Sequence, residues 1–179
     1  MTSKAGAASA YRDRAALPRL GAATLKGSVL LDTNVFINAL AGRGPAELKT
    51  LLANLPLSFV SGATVAELSW TRGRLDPVHP DTARVVAAFA AALAQIAPMR
   101  ILVPSAVQWA EAGVLAGCAA RAMAGRVRSI KTAFDRTELI NDAVTAVVAL
   151  AAGVTIVTQD RDFDLLQQLK PSLRVLFYD

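Results

Sequence analysis

Ser28-Val29-Leu30-Leu31-Asp32-Thr33-Asn34 is the stretch on which the reading of this chain turns. An apolar run that ends in an acid followed by small polar residues reads as a buried strand passing into a helix. That helix is expected over about 34–41. A second copy of the pattern lies far downstream, where residues 154–157 form an apolar strand and Thr158-Gln159-Asp160 follow. Working outward, Gly42 and Gly44 stop the first helix and Pro45 starts another that reaches about Asn54. Residues 57–60 read as the second strand, and 64–73 as a helix carrying Glu67. An alanine-rich helix over 81–96 ends at Pro98. Residues 100–103 form the third strand, and Pro104 opens a helix to about Ala124. A basic connection over 125–134 leads to an amphipathic helix over 136–152, stopped by Gly153. After the strand at 154–157, a short helix over 163–169 is broken by Pro171, and 173–177 form the last strand. Short apolar strands alternating with helices predict an α/β fold with a mainly parallel sheet covered on both faces. Ligands of such sheets bind beyond the carboxyl ends of the strands.

Composition narrows the function. The chain has 179 residues, enough for one domain with an appendage. Hydrophobic residues make up 54% of it and the mean hydropathy is +0.40, which leaves apolar surface for an oligomer interface. A single cysteine, Cys118, excludes an internal disulfide and fits a reducing compartment. A single histidine, His79, lies in a proline-flanked loop, so a Cys/His zinc site and a histidine-based triad both lack parts. No stretch reaches roughly 18 unbroken apolar residues, and the first residues lack the apolar core of a secretory signal. A cytoplasmic protein with no membrane contact is the expectation. Of the net charge of +5, the basic N-terminal arm over residues 1–27 carries all but +1, through Lys4, Arg12, Arg14, Arg19 and Lys26 against Asp13. The domain proper, 28–179, is nearly neutral, and its charge says little about a nucleic-acid partner. The arm reads as a mobile or poorly packed extension, with room for a short helix at 8–16.

The acids carry the chemistry. Asp32 and Asp160 follow strands, Asp162 lies two positions further on, and Glu67 and Asp142 sit on predicted helices. With the first and fourth strands adjacent, these carboxylates converge at one edge of the sheet. Each also has a capping explanation: Asp32 and Asp160 stand where helix N-caps belong, and Thr64-Val-Ala-Glu67 fits a capping box. Asp142 is different, because aspartate is a poor residue for an apolar helix interior and no lysine or arginine stands beside it. Clustered carboxylates raise one another's pKa values, and a bound cation relieves the repulsion. All-oxygen donors select a hard ion, Mg²⁺ or Mn²⁺, which activates water and stabilises charge on a phosphate in transfer.

Asp32-Thr33-Asn34, Ala66-Glu67-Leu68, Asn141-Asp142-Ala143 and Thr158-Gln159-Asp160-Arg161-Asp162-Phe163 resemble, in this order, the successive motifs of PIN-domain nucleases. Among these the chain is most similar to VapC-type toxins of bacterial toxin–antitoxin pairs, over about residues 28–177. The resemblance implies a PIN-like three-layer α/β/α fold with a central sheet of about four to five strands. It implies an Mg/Mn-dependent endoribonuclease acting on single-stranded or structured RNA, leaving 5′-phosphate and 3′-hydroxyl ends. Asp32, Glu67, Asp142 and Asp160 match the family's catalytic, metal-holding acids, with Asp162 as a fifth ligand. Asn34 and Thr158 match positions that support the site by hydrogen bonding. A homodimer and a small antitoxin protein that blocks the site are also implied. The arm is longer than a minimal toxin needs, and residues 72–136 are long and alanine-rich.

Other features divide between chemistry and structure. Arg121, Arg126, Arg128, Lys131 and Arg136 suit either a grip on RNA phosphates or a solvated face. Arg161 is expected to pair with an acid, and Asp164 to be solvated. Asp135-Arg-Thr-Glu138 fits a capping box, which makes Glu138 a cap rather than a site residue. Trp70, Phe89 and Trp109 read as core or dimer packing. Two rival functions remain: an RNA- or partner-binding module without catalysis, and a phosphatase of haloacid-dehalogenase type. The second of these needs an acid two residues after the first, where this chain has Asn34.

Overall fold

The structure is a computed structural model that describes residues 11–21, 27–54, 57–124 and 130–179. In chain order it runs β1 (Val29–Leu31), α1 (Thr33–Leu40), α2 (Ala46–Asn54), β2 (Ser58–Ser61), α3 (Gly62–Gly73), α4 (Thr82–Ala94), β3 (Ile101–Leu102), α5 (Ala106–Met123), α6 (Ala133–Ala152), β4 (Thr155–Thr158), α7 (Asp162–Leu169) and β5 (Val175–Phe177). The five strands form one parallel sheet in the order β3-β2-β1-β4-β5. The chain winds outward from β1 to β3, then crosses back to lay β4 on the other side of β1. Winding therefore reverses between β1 and β4, and a crevice opens beyond their carboxyl ends. Leu31 pairs with Val157, so Asp32 and Thr158 emerge side by side.

Strand alternation splits the core into two layers. Val29, Leu31 and Val157 pack with Val35, Leu48 and Tyr178 on one face. Leu30, Ile156, Val175 and Phe177 pack on the other against α5, α6 and α7. The middle of α6 buries Ala143, Val144, Ala146, Val147 and Ala149 almost completely, as expected of a helix that is apolar nearly all round. The three-layer α/β/α architecture and the parallel sheet agree with expectation.

Two helix starts differ from the sequence reading, and both matter for function. The cap of α3 is Ser61, whose hydroxyl accepts from the Thr64 backbone N–H at 3.0 Å. Thr64 is buried and its hydroxyl bonds Ser61, which in turn bonds Thr145 at 2.8 Å. Helix α6 starts at Ala133, with Thr132 and Asp135 forming the reciprocal capping box. Both true caps lie three residues before the predicted ones, so Glu67 and Glu138 are released from capping.

The N-terminal segment also differs. Residues 8–10 lie outside the described residues, and the expected helix reduces to a 3₁₀ turn at Arg14–Ala16. Residues 11–21 are laid against the domain. Leu17 is buried in the core, and Pro18 and Leu20 exchange backbone hydrogen bonds with Phe177 at 2.8 Å each. Asp164, expected to be solvated, is fully buried. It accepts from the Arg12 backbone N–H at 2.7 Å and from Arg12 Nε at 2.5 Å. Periodicity could not reveal this docking, because its partners lie some 150 positions away.

Arg12→Ala therefore removes the charged partner of a buried carboxylate and leaves it only backbone and amide donors. Because Arg12 is about one-third exposed, the expected loss is nearer about 2–4 kcal/mol than the full cost of breaking a buried pair. Thermal melting should fall by roughly 5–15 °C. An Asp164→Asn background should shrink that loss. A single variant as stable as the parent would show that Asp164 does not anchor the segment.

Candidate active site

Asp32 is placed by β1 and caps α1, so it fills the structural role and faces the crevice as well. Its Oδ1 accepts the Thr33 backbone N–H at 2.7 Å. Its Oδ2 accepts from Asn34 Nδ2 at 2.7 Å and from the Thr158 hydroxyl at 2.6 Å. Thr158 Oγ1 in turn accepts the Asp160 backbone N–H at 2.9 Å, and Asp160 Oδ1 accepts the Asp162 backbone N–H at 2.8 Å. Behind Asn34, the Tyr178 hydroxyl donates to Asn34 Oδ1 at 2.9 Å and accepts from Asn38 at 3.2 Å. From the second face, Glu67 accepts from the Thr33 hydroxyl and from Asn141 Nδ2, the latter at 2.8 Å. Each carboxylate bonded in this set, Asp32, Asp160 and Glu67, is held by neutral donors.

The result is an open pocket of about 500 Å³ lined by Asp32, Glu67, Glu138, Asp142, Asp160 and Asp162, with Tyr11, Thr33, Asn34 and Ile37. No basic side chain is among these lining residues. A larger groove of about 640 Å³ elsewhere, lined by Leu31, Phe36, Leu52, Ala88 and Ile96, is mainly apolar and holds none of these acids.

Electrostatics follow from this crowding. Burial, opposed by the hydrogen bonds from Thr158 and Thr33 and assisted by Asp160 and Glu67, pushes the Asp32 carboxyl up to about 7. Asp142 is raised well above the usual carboxylate range, first by burial and then by the charges of Asp160, Asp32, Asp162 and Glu67. The acids named from sequence thus share one electrostatic field. Among the described residues, no three His, Cys, Asp or Glu side chains form a ready metal-binding group. They line one pocket without closing on a common centre. The donor set is oxygen throughout, and the uncompensated charge on Asp142 suits a hard divalent cation.

Asn34 and Thr158, read from sequence as hydrogen-bonding supports, both donate to Asp32 Oδ2. Thr33, Tyr178 and Tyr11 were missed. Thr33 lies inside the Asp-Thr-Asn motif and could have been found there. Nothing local marks the two tyrosines. Glu138 lines the pocket instead of capping a helix. Arg161 turns from its neighbouring acids: it donates to the Arg12 carbonyl at 2.6 Å and lies over the Tyr11 ring at 4.8 Å. Arg121, Lys131 and Arg136 are exposed and are not among the pocket's lining residues. Arg126 and Arg128 lie outside the described residues. Phe89 is buried, whereas Trp70 and Trp109 are half exposed.

A parallel sheet whose winding reverses at a carboxylate-lined crevice defines an α/β/α protein with an acidic site. The family model of the PIN domain matches residues 29–168, and the chain belongs to that family, a family of nucleases. No curated protein gives a significant match by sequence. Solved structures give clear matches. The Rickettsia felis VapBC2 structure, bound to a promoter DNA fragment, matches with 19% identity and a TM-score of 0.55, over 86% of this chain and 100% of that one. Neisseria gonorrhoeae FitAcB matches with 21% identity and a TM-score of 0.58, over 83% and 96%. VapBC-5 from Mycobacterium tuberculosis, a member of the VapBC family of toxin–antitoxin systems, matches with 22% identity and a TM-score of 0.52, over 85% and 99%. These likenesses show the PIN-like fold. The family match, with Asn34 donating to Asp32 where a dehalogenase-type site needs a second acid, sets the phosphatase reading aside. Among the described residues, no helix is long and apolar enough to cross a membrane.

Proposed function

We propose that this protein is an Mg²⁺- or Mn²⁺-dependent endoribonuclease, cytoplasmic, and the toxin of a type II toxin–antitoxin pair. The observation that carries the reading is the convergence of Asp32, Glu67, Asp142, Asp160 and Asp162 on one pocket with no basic side chain in its lining. Asp32, Asp142 and Asp160 would hold the ion, with Glu67 and Asp162 completing its shell directly or through water. Bound there, the ion supplies the charge that activates water and steadies a phosphodiester in transfer. The protein's own contribution is orientation. Thr33, Asn34 and Thr158 fix both oxygens of Asp32, and Thr33 with Asn141 fixes Glu67. The open crevice admits a flexible strand more readily than a stiff duplex, which favours single-stranded or looped RNA.

The antitoxin is supported by the toxin–antitoxin complexes whose fold this chain shares. A homodimer is supported by exposed apolar side chains on α5, among them Val107, Trp109 and Val114. The basic residues Arg121, Lys131 and Arg136 would engage RNA outside the pocket, not at the reacting phosphate.

The test is direct. Purified protein with a labelled single-stranded RNA is expected to cut it with Mg²⁺ or Mn²⁺, leaving 5′-phosphate ends, and to stop when the metal is chelated. Metal-dependent RNA binding without cutting would favour the binding-module alternative. Cleavage that persists in chelator would refute the metal role. Co-expression with the product of a short adjacent reading frame should suppress cleavage if an antitoxin exists.

A further inference from the structure

Tyr11 precedes the residues matched by the PIN family model, yet it lines the acidic pocket. Its hydroxyl donates to Asp162 Oδ1 across 151 positions of sequence. Asp162 is only 5% exposed, so its carboxylate needs donors within the protein. A phenol answers that need without adding positive charge. A lysine or arginine at the same place would neutralise the cluster and compete with a cation for it.

The tyrosine is held from several sides. Arg12, the next residue, is clamped to Asp164 through its backbone and its side chain, and reaches Gln167 as well. The Arg161 guanidinium lies over the Tyr11 ring and bonds the Arg12 carbonyl. Further along, Leu17 is sunk in the core and the segment pairs with β5. The acids that receive it, Asp162 and Asp164, occupy the first turn of α7. One helical turn therefore offers a carboxylate to the pocket and a second one to the segment.

We propose that Tyr11 is a positioning residue for the metal-dependent reaction. The N-terminal segment delivers its phenol to Asp162 and holds that carboxylate turned to the pocket for the ion. The inference rests on the nuclease reading above and adds to it a site residue from outside the matched domain.

The test compares the full chain with Tyr11→Phe, which keeps the ring over Arg161 and removes only the donor. Calorimetry with Mn²⁺ alone reads the ion directly. Tyr11→Phe should fold, melt roughly 3–12 °C below the parent without metal, and bind Mn²⁺ about tenfold more weakly. Half-maximal cleavage should need correspondingly more Mn²⁺, with KM for RNA unchanged. Tyr11→Lys should melt higher than the parent without metal and bind Mn²⁺ more weakly than Tyr11→Phe. Parent-like Mn²⁺ affinity and metal dependence in Tyr11→Phe would overturn the role of Tyr11 while leaving the nuclease reading in place. A parent protein that binds no Mn²⁺ would overturn both.

Discussion

Asp142→Asn is expected to abolish RNA cleavage and, without metal, to make the protein more stable. The two effects share one cause. Helix α6 carries Asp142 into the pocket, where burial and four neighbouring acids all disfavour its charge. Asparagine has nearly the same shape and no charge, so it removes the repulsion and keeps the packing. In the proposed mechanism the carboxylate would hold the cation that meets the charge developing on phosphate. Its loss should lower cleavage at saturating Mn²⁺ by at least about 10²–10³-fold, the scale found when one preorganised electrostatic group is removed from a reacting centre. For a domain of this size, each kcal/mol of relief raises the melting temperature by about 2–4 °C. Melting in chelator and cleavage in Mn²⁺ should therefore move in opposite directions. A variant that cleaves like the parent would end the assignment of Asp142. One that melts lower in chelator would end the account of it as a strained charge.

The second large effect is on pH. The Asp32 carboxyl sits near 7 in the folded protein against an ordinary value of 3.8. The folded state thus holds the Asp32 proton more tightly than the unfolded chain does. Stability from this group is greatest below about pH 4, falls as pH rises, and is fully lost above about pH 7. A shift of about three units corresponds to about 4 kcal/mol at most. Other carboxylates run the opposite way; Asp179, for example, is lowered by Arg19. The comparison is therefore between the parent and Asp32→Asn. In urea with chelator, Asp32→Asn should gain on the parent steadily from pH 4 to pH 7. Saturating Mn²⁺ should abolish the parent's deficit, because ion binding releases the proton and replaces the missing counter-charge. Parallel pH profiles for the two proteins in chelator would contradict the raised value.

The strand ends were readable because a buried parallel strand is a short apolar run and its crevice end is polar. Asp32 and Asp160 were visible for that reason. Asp142 was visible because a charge in an apolar helix contradicts its surroundings. Glu67 and Glu138 were harder, since Ser, Thr and Asp recur every few residues and several spacings imitate a capping box. The choice between Ser61 and Thr64 depended on burial, since Thr64 is taken up by the Ser61–Thr145 contact inside the core; at α6, Thr132 and Asp135 themselves form the box at the helix start. Asp164 and Tyr11 were not readable at all. Their environment is made by segments about 150 residues apart, and an Ala- and Arg-rich stretch carries no periodic signal of where it will dock.

The central position of β1 has a bearing on synthesis. Asp32 is bound by Thr158, 126 positions later, because the sheet inserts β4 directly beside β1. While the ribosome is still making that intervening chain, β1 has only β2 as a possible neighbour, and the carboxylates remain scattered. On the nuclease proposed above, the acidic site would therefore stay unassembled in a nascent chain until β4 has been made and has taken its place beside β1.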